Sequence, residues 1–407
     1  MKILIVNQPL NNRGDESAHK ALVRALCKAK PNCEIEVLYP NFHNEVIKPF
    51  IVEGKNVHYI SYNCRYKFFK VQLWGLYCNL LRILWMIHPN IRFIIKKYRE
   101  ADLIIGAPGG ISMGGFQNWD HLFFLQLAKF LNKKIVYYGR SFGPFPVETW
   151  RQRVYKKQSY DILKYFAFLA IRDKITEKIA DEIGLKYVST VDTAFLGSET
   201  FDIPSEIKAQ IHGDYVVFVP NLLIWHYNYK DRITKENVKL FFMRLMSSVL
   251  NKYPEYQILM LPQTYGYEEA FRNDVNFFRE IQNEMNDDRI VVINDTFDSD
   301  IQQSIIRSSK FVVGARYHSI VFAINNSVPF ISLSYEHKMS GMLATLGNTN
   351  SMIDITHAMD NLKSIEDNCR FFEEKLDVLP SNINETRIKA KQIAEKCFEK
   401  FYNGFMS

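Results

Sequence analysis

The chain has 407 residues, 47% of them hydrophobic and 23% charged, which excludes whole-chain disorder, collagen-like repeats and a disulfide-stapled miniature. Fifty-one Lys plus Arg against 44 Asp plus Glu leave a formal charge of +7, read as a mild excess spread along the chain. Such a balance suits phosphorylated small molecules or an anionic membrane surface, and the absence of a zinc finger or long Lys/Arg run argues against nucleic acid.

Lys2–Asn7 is a short apolar run that ends at polar turn residues, so it reads as a buried strand. Met1–Leu10 lacks the longer apolar core and cleavage site of a secretory signal, and none is expected. Asp15–Ala29 sets Ala18, Ala21, Leu22, Ala25 and Leu26 at helical spacing. Glu34–Tyr39 and Val57–Ile60 read as strands. Phe68–Tyr98 is a long helical region expected to break at Pro89. Strands follow at Asp102–Gly106, Lys134–Tyr138, Phe166–Ile171 and Lys186–Val191, with helices at His121–Leu131, Thr149–Tyr165 and Asp173–Ile183.

A looser stretch, Gly197–Gly213, precedes a second set. Strands are expected at Tyr215–Val219, Tyr256–Leu261, Ile290–Ile293, Lys310–Val313 and Pro329–Leu333. Helices are expected at Lys235–Lys252, Glu268–Met285, Ile301–Ser308, His318–Ile324 and Met339–Leu346. Strand–helix alternation of this kind means parallel sheets covered on both faces. The fold class is therefore α/β, with two doubly wound, Rossmann-like domains at 1–205 and 206–380. A last amphipathic helix within 381–407, roughly Ile383–Tyr402, is expected to cross back onto the first domain. No stretch of 18 charge-free apolar residues exists, so no spanning helix is expected. The cysteines (Cys27, Cys33, Cys64, Cys78, Cys369, Cys397) form no CxxC pair, which suits a reducing, cytoplasmic setting.

Doubly wound sheets bind ligands beyond the carboxyl ends of their strands, so the loops there are the candidate sites. Asn11–Ser17 joins a glycine turn to a helix start, with Asp15 and Glu16 as first-turn acids. Gly106–Gly115 holds five glycines in ten residues and permits close backbone approach to a ligand, but it lacks the P-loop Lys-Ser/Thr and the GxGxxG spacing. Gly139–Phe145 follows another strand and also reads as a rigid turn. Arg172 is expected to point into the interdomain crevice as a cation for phosphate or carboxylate, with Asp173 as N-cap and a structural ion pair as the plainer reading. Arg316 and His318 open a helix two residues apart, where both can face one anion, and His318 suits proton transfer near neutral pH. Leu333–Lys338 adds Glu336 for hydroxyls and Lys338 for phosphate. Asp298-Ser299-Asp300 matches a DxD metal motif, but Gln302 three residues after Ser299 favours a capping box. No HExxH or close His pair argues for zinc, so no metal site is expected.

Eight motifs in order give the chain a resemblance to the polysaccharide pyruvyltransferase family. They are Asn12-Arg13-Gly14-Asp15-Glu16, Gly106–Gly110, Ser141-Phe142-Gly143-Pro144-Phe145, Arg172-Asp173, Asp192-Thr193-Ala194-Phe195, Pro262-Gln263, Arg316-Tyr317-His318-Ser319 and Tyr335-Glu336-His337-Lys338, and they span about 10–340. Arg140 stands where the family often has Gln. The resemblance implies the two-Rossmann GT-B architecture, phosphoenolpyruvate as donor, and a sugar of a surface or capsular polysaccharide, or its lipid-linked precursor, as acceptor. The product it implies is a pyruvate ketal bridging two hydroxyls, with phosphate released.

On this expectation the first domain is the acceptor side and the second the donor side. Arg172, Arg316, Tyr317 and Lys338 would bind the donor, and Asn12, Gly14, Glu16, Gly109, Gly110, Arg140, Ser141, Gln263 and Glu336 the acceptor. His318 would be the acid and Asp15 the base, with no metal and no cofactor beyond phosphoenolpyruvate as co-substrate. The alternatives are a GT-B glycosyltransferase with a nucleotide-sugar donor and a non-catalytic partner in a membrane assembly pathway. The aromatics and cations from Arg65-Tyr66-Lys67-Phe68-Phe69-Lys70 through Trp74, Arg82, Trp85 and Arg92 suit an interfacial helix. That reading would place the cytoplasmic protein at the inner face of the plasma membrane; ordinary packing with snorkelling cations is the alternative.

Overall fold

The computed structural model describes the chain except residues 11, 64–65, 116, 198, 227–228, 265–272, 294–296, 381–382 and 407, and leaves aside the side chains of 66–69. The chain divides into two compact units: Met1–Leu10, Asp15–Gly197 and Gln392–Ser407 form the first, and Asn11–Gly14 with Ser198–Lys391 the second.

In the first unit the elements run β1 (Lys2–Val6), α1 (Arg13–Ala29), β2 (Glu34–Pro40), β3 (Val57–Tyr62), α2 (Tyr66–Tyr77), α3 (Pro89–Glu100), β4 (Leu103–Gly106), β5 (Gly109–Met113), α4 (Trp119–Phe130), β6 (Ile135–Tyr137), β7 (Arg140–Phe142), α5 (Trp150–Leu163), β8 (Phe168–Ile171), α6 (Lys174–Glu182) and β9 (Val188–Ser189). Among the described residues, seven strands pair in the order β3-β2-β1-β4-β6-β8-β9, and β5 pairs β7 separately. Every pair in the large sheet is parallel.

Side chains alternate across a strand, and the core follows that period. Leu4, Val6, Ile104 and Tyr137 pack with Ile91 and Ile94 of α3 and Leu122 and Phe123 of α4. Ile3, Ile5, Ile105 and Val136 pack on the other face with Leu22 and Leu26 of α1. Cys397, Phe401 and Met406 join that second face, so the end of the last helix, as expected, belongs to the first unit. The ring of Phe401 lies 5.4 Å from that of Tyr138.

The 68–98 region differs from the single helix broken at Pro89. A 3-10 segment, Asn79–Met86, separates α2 from α3, and Pro89 opens α3 at its first turn, where its missing N–H costs nothing.

The second unit contains α7 (Ser205–Lys208), β10 (Tyr215–Val219), α8 (Lys235–Lys252), β11 (Gln257–Met260), α9 (Asp274–Met285), β12 (Ile290–Val292), α10 (Ser299–Arg307), β13 (Val312–Gly314), α11 (Tyr317–Asn325), β14 (Phe330–Ser334), α12 (His337–Leu346), β15 (Met352–Asp354), α13 (Leu362–Asp377) and the first part of α14 (Asn384–Phe405). The expected helix start at 268 lies outside the described residues. Its sheet runs β12-β11-β10-β13-β14-β15, again parallel throughout. Val216, Val217, Phe218 and Val219 of the central strand β10 are wholly buried, as a strand covered on both faces requires. Periodicity passes over β15 and α13, and β5 and β7 lie inside stretches that read as loops.

The order of each sheet fixes where its crevice opens. The winding order reverses between β1 and β4 in the first unit and between β10 and β13 in the second. Loops leaving those four strands are the candidate ligand loops.

Candidate functional site

In the second unit the loop leaving β13 carries Arg316, and His318 follows in the first turn of α11. Arg316 is the N-cap of α11, and its side chain turns to the loop leaving β11. There Nη2 donates to Thr264 Oγ1 at 3.2 Å and forms an ion pair with Asp274. Asp274 is itself fixed: its other carboxylate oxygen accepts from the backbone N–H of Gln263 at 2.9 Å and of Thr264 at 3.0 Å. A guanidinium held this way loses little rotamer freedom when it meets an anion. Its Nε–H is buried and has no partner among the described residues.

Residues 12–14 belong to this second unit, in contrast to the N-terminal domain boundary of the sequence reading. The reason is backbone pairing: Arg13 N–H donates to Gln263 C=O at 3.0 Å, and Asn12 bridges Thr264. Gly14 then lies directly against the imidazole of His318, where a β-carbon would overlap the ring. His318 also meets Tyr317 edge-on, with centroids 5.0 Å apart.

The neighbouring strand β14 delivers Glu336 and Lys338. Burial pushes the Glu336 carboxyl up, but the nearby His226 imidazole and the Lys338 charge outweigh it and hold the pKa below its usual value. Its oxygen lies 3.6 Å from Lys338 Nζ and 3.8 Å from His226 Nε2. An ionised Glu336 accepts hydrogen bonds, which suits a hydroxyl and balances part of the cationic charge.

The first unit has a different character. Arg140, only 2% exposed, donates to Asn7 C=O at 3.0 Å, Ala107 C=O at 2.8 Å, Gly110 C=O at 3.2 Å and Ser112 Oγ at 2.6 Å. It thereby ties together the loops after β1 and β4. This assigns Arg140 to loop scaffolding in place of the expected acceptor contact, because four of its five N–H donors are spent on three carbonyls and a hydroxyl. Glu16 is likewise fully buried and paired with Lys20 at 3.1 Å, so it too leaves the acceptor set. Ser141 is fully buried in β7, and Gln263 is 2% exposed, donates to Gln302 at 2.8 Å and lies in the second unit. Arg172 forms an ion pair with the buried Asp192, which makes it the structural pair of the plainer reading.

Gly109, Gly110 and Asp15, the last only 7% exposed, remain as candidates in the first unit. A β-carbon at Gly109 would meet Pro9 at 2.8 Å and the Asp15 carboxylate at 3.1 Å, so the loop is glycine for packing as well as for access. Gly110 has open space on its β-carbon side.

Three residues escape the sequence reading. Asp274 and His226 are positioned by loops whose partners are distant in sequence, and no local pattern marks them. Asp120 sits in the first turn of α4, where burial pushes its pKa up to about 6, a value fit for acid–base work. The Asp298–Asp300 stretch caps a helix, as expected, but the capping residue is Asp298 in place of Ser299. Asp298 accepts from the Asp300 and Ile301 N–H groups at the start of α10, and the Gln302 side chain donates to Pro262 C=O at 2.7 Å. Among the described residues no group of three His, Cys, Asp or Glu could hold a metal, and no helix is long and apolar enough to cross a membrane.

Known proteins resemble the chain both in sequence and in fold. A family described as polysaccharide pyruvyl transferase matches residues 12–337. The amylovoran biosynthesis protein AmsJ of Erwinia amylovora is 22% identical over 396 residues, covering 88% of this chain and 89% of that protein. Among solved structures, the UDP-GlcNAc 2-epimerase of Neisseria meningitidis bound to UDP-GlcNAc matches with a TM-score of 0.57 at 9% identity, over 98% of this chain and 100% of that one. The E. coli ADP-heptose lps heptosyltransferase II matches with a TM-score of 0.50 at 12% identity, over 93% and 98%. At such identities the structural likeness establishes the fold, the α/β GT-B class with two Rossmann-like units.

Proposed function

Since the chain belongs to the polysaccharide pyruvyl transferase family, we propose that it moves pyruvate from phosphoenolpyruvate onto a polysaccharide sugar as a ketal. The relative AmsJ, a biosynthesis protein for amylovoran, supports an exopolysaccharide or capsular acceptor, as the finished chain or its lipid-linked precursor.

The observation that carries the donor assignment is Arg316: largely buried, pre-set by Asp274, with a buried Nε–H left over at the switch point of the second sheet. A small donor with one carboxylate and one phosphate needs at least two fixed cationic contacts. Arg316 supplies one, and Lys338 in the first turn of α12 supplies the other. On this reading the second unit is the donor side.

In the proposed reaction His318 gives a proton to the methylene carbon, which becomes the methyl group of pyruvate. The central carbon turns electrophilic and accepts the oxygen of one acceptor hydroxyl, whose proton passes to Asp15. The second hydroxyl then attacks the same carbon and its proton returns to His318, while the carbon–oxygen bond to phosphate breaks and phosphate departs with the proton held by Asp15 as the ketal closes. This scheme uses no metal and no further cofactor. Tyr317 would flank the donor and Glu336 an acceptor hydroxyl.

A thermal-shift comparison of phosphoenolpyruvate with nucleotide sugars tests the donor. A ligand at 100 times its Kd adds about 2.7 kcal/mol, a readable shift. Stabilisation by phosphoenolpyruvate is expected. Stabilisation by a nucleotide sugar alone would move the chain's chemistry to glycosyl transfer and release His318 from its role.

A further inference from the structure

The positive charge is not spread along the chain as its total suggests. Residues 54–99 contain nine Lys or Arg and no Asp or Glu, so the rest of the chain carries a net −2. The same segment concentrates exposed apolar surface. Of 17 large hydrophobic side chains exposed among the described residues, six (Trp74, Leu80, Leu81, Ile83, Ile87 and Phe93) fall within twenty positions. Single exposed apolar residues need no explanation, but a contiguous group does.

The 3-10 segment explains the grouping. With three residues per turn, its side chains stand in three rows. Arg82 and Trp85 form the inward row: Arg82 donates to Gln158 at 2.8 Å and Gly75 C=O at 3.2 Å, and Trp85 donates to Val71 C=O at 3.1 Å. These two belong to the expected interfacial set and instead anchor the segment. Leu80 and Ile83 form a second row, 86% and 60% exposed, while Leu81 and Ile87 belong to the third, 40% and 66% exposed. An anchored segment therefore presents two apolar rows outward.

Beside them α3 exposes Arg92, Lys96 and Arg99, spaced four and three apart on one face. They line one cleft together with Met86, Pro89, Phe93 and a single acid, Glu100. Neither Arg92 nor Arg99 has an acidic partner among the described residues, and Lys96 reaches only Glu100, at 3.9 Å.

We infer that this face of the first unit docks on an anionic phospholipid bilayer. Charge complementarity selects the occupant: two rows of exposed apolar side chains beside three cations, of which only Lys96 approaches a carboxylate, match acyl chains beneath anionic headgroups. Leu80, Ile83 and Ile87 enter the acyl boundary, and Arg92, Lys96 and Arg99 meet the phosphates. The protein lies on the membrane and does not span it. This inference is independent of the donor, since its readout is binding and not turnover.

The test is co-sedimentation of the full chain with phosphatidylcholine vesicles, with and without phosphatidylglycerol. Binding to the anionic vesicles, weakened by high salt, is expected. Substituting Arg92→Gln, Lys96→Gln and Arg99→Gln together should weaken it roughly a hundredfold, at about 1 kcal/mol per charge. Substituting Leu80→Ser, Ile83→Ser and Ile87→Ser should weaken it on the order of tenfold or more, with Tm unchanged because the side chains are exposed. No binding to anionic vesicles at low salt overturns the inference. So does a serine variant that binds like wild type, or one that only converts a concentration-dependent dimer to monomer, since the face would then belong to a second copy of the chain.

Discussion

Gly14 and His318 are separated by about three hundred positions in sequence, yet the imidazole lies so close to the Gly14 α-carbon that no β-carbon fits between them. The contact is set by backbone pairing, through Arg13 N–H to Gln263 C=O and the bridge from Asn12 to Thr264. A glycine in the first turn of a helix is unfavourable on propensity alone. Here it gives the ring a fixed place.

The first prediction follows from that geometry. Gly14→Ala should push His318 off its position, because the overlapping atom is a ring held between Gly14 and Tyr317. Turnover should fall at least on the order of tenfold, as expected for a misplaced acid. Far-UV circular dichroism should be unchanged and Tm should move only a few degrees. Wild-type turnover in a folded Gly14→Ala variant would mean that the proton donor is another residue.

Arg316 and His318 should separate in kinetics. Arg316→Ala removes a pre-set cation and leaves Asp274 buried without its partner, so the donor KM should rise steeply. His318→Ala removes a proton donor and should lower kcat by about a hundredfold or more with donor binding largely kept. Steady-state rates against phosphoenolpyruvate concentration distinguish these patterns. An unchanged donor KM in Arg316→Ala would take Arg316 out of the site.

Arg140 should matter for stability before it matters for turnover. Its guanidinium satisfies three carbonyls and a hydroxyl in a region closed to water. Each acceptor left buried and unpaired costs about 1–3 kcal/mol. Arg140→Leu should therefore destabilise the protein by about 3 kcal/mol or more in urea unfolding. Arg140→Lys should recover only part of this, since an ammonium cannot reproduce the planar fork. A loss below about 1 kcal/mol for Arg140→Leu would show that the loops do not depend on it.

The sequence carries the fold further than it carries the site. Parallel strands such as Tyr215–Val219 and helices such as Lys235–Lys252 are marked by local apolar spacing and sit where that spacing puts them. The loops at the strand ends are legible for the same reason, since topology places them. What each side chain does there is not legible. Arg140, Arg172 and Arg316 are all cations next to strand ends, but the first holds three carbonyls and a hydroxyl, the second pairs with Asp192, and Arg316 keeps a buried Nε–H with no partner among the described residues. Those partners lie up to 133 residues away in the chain, beyond any local pattern. The docking of residues 12–14 in the second unit is hidden likewise, because its cause is a backbone bond to Gln263.

Asp120 gives a prediction with a defined sign. Burial pushes its carboxyl up to about 6, against an ordinary value of 3.8. A folded-state pKa above the unfolded one means that the folded protein keeps a proton the unfolded chain has already released. Stability from this group therefore falls as pH rises from about 4 to about 6, and the full cost persists above that range. Asp120→Asn removes the charge and keeps the shape. Its Tm should match wild type near pH 4 and exceed it at pH 7 and above, with the difference opening across the interval between. If Asp120 serves as an acid or base in turnover, the same variant should also flatten the acidic limb of the pH–rate profile. A Tm difference that is equal at both pH values would show that Asp120 is solvated like an ordinary surface carboxylate.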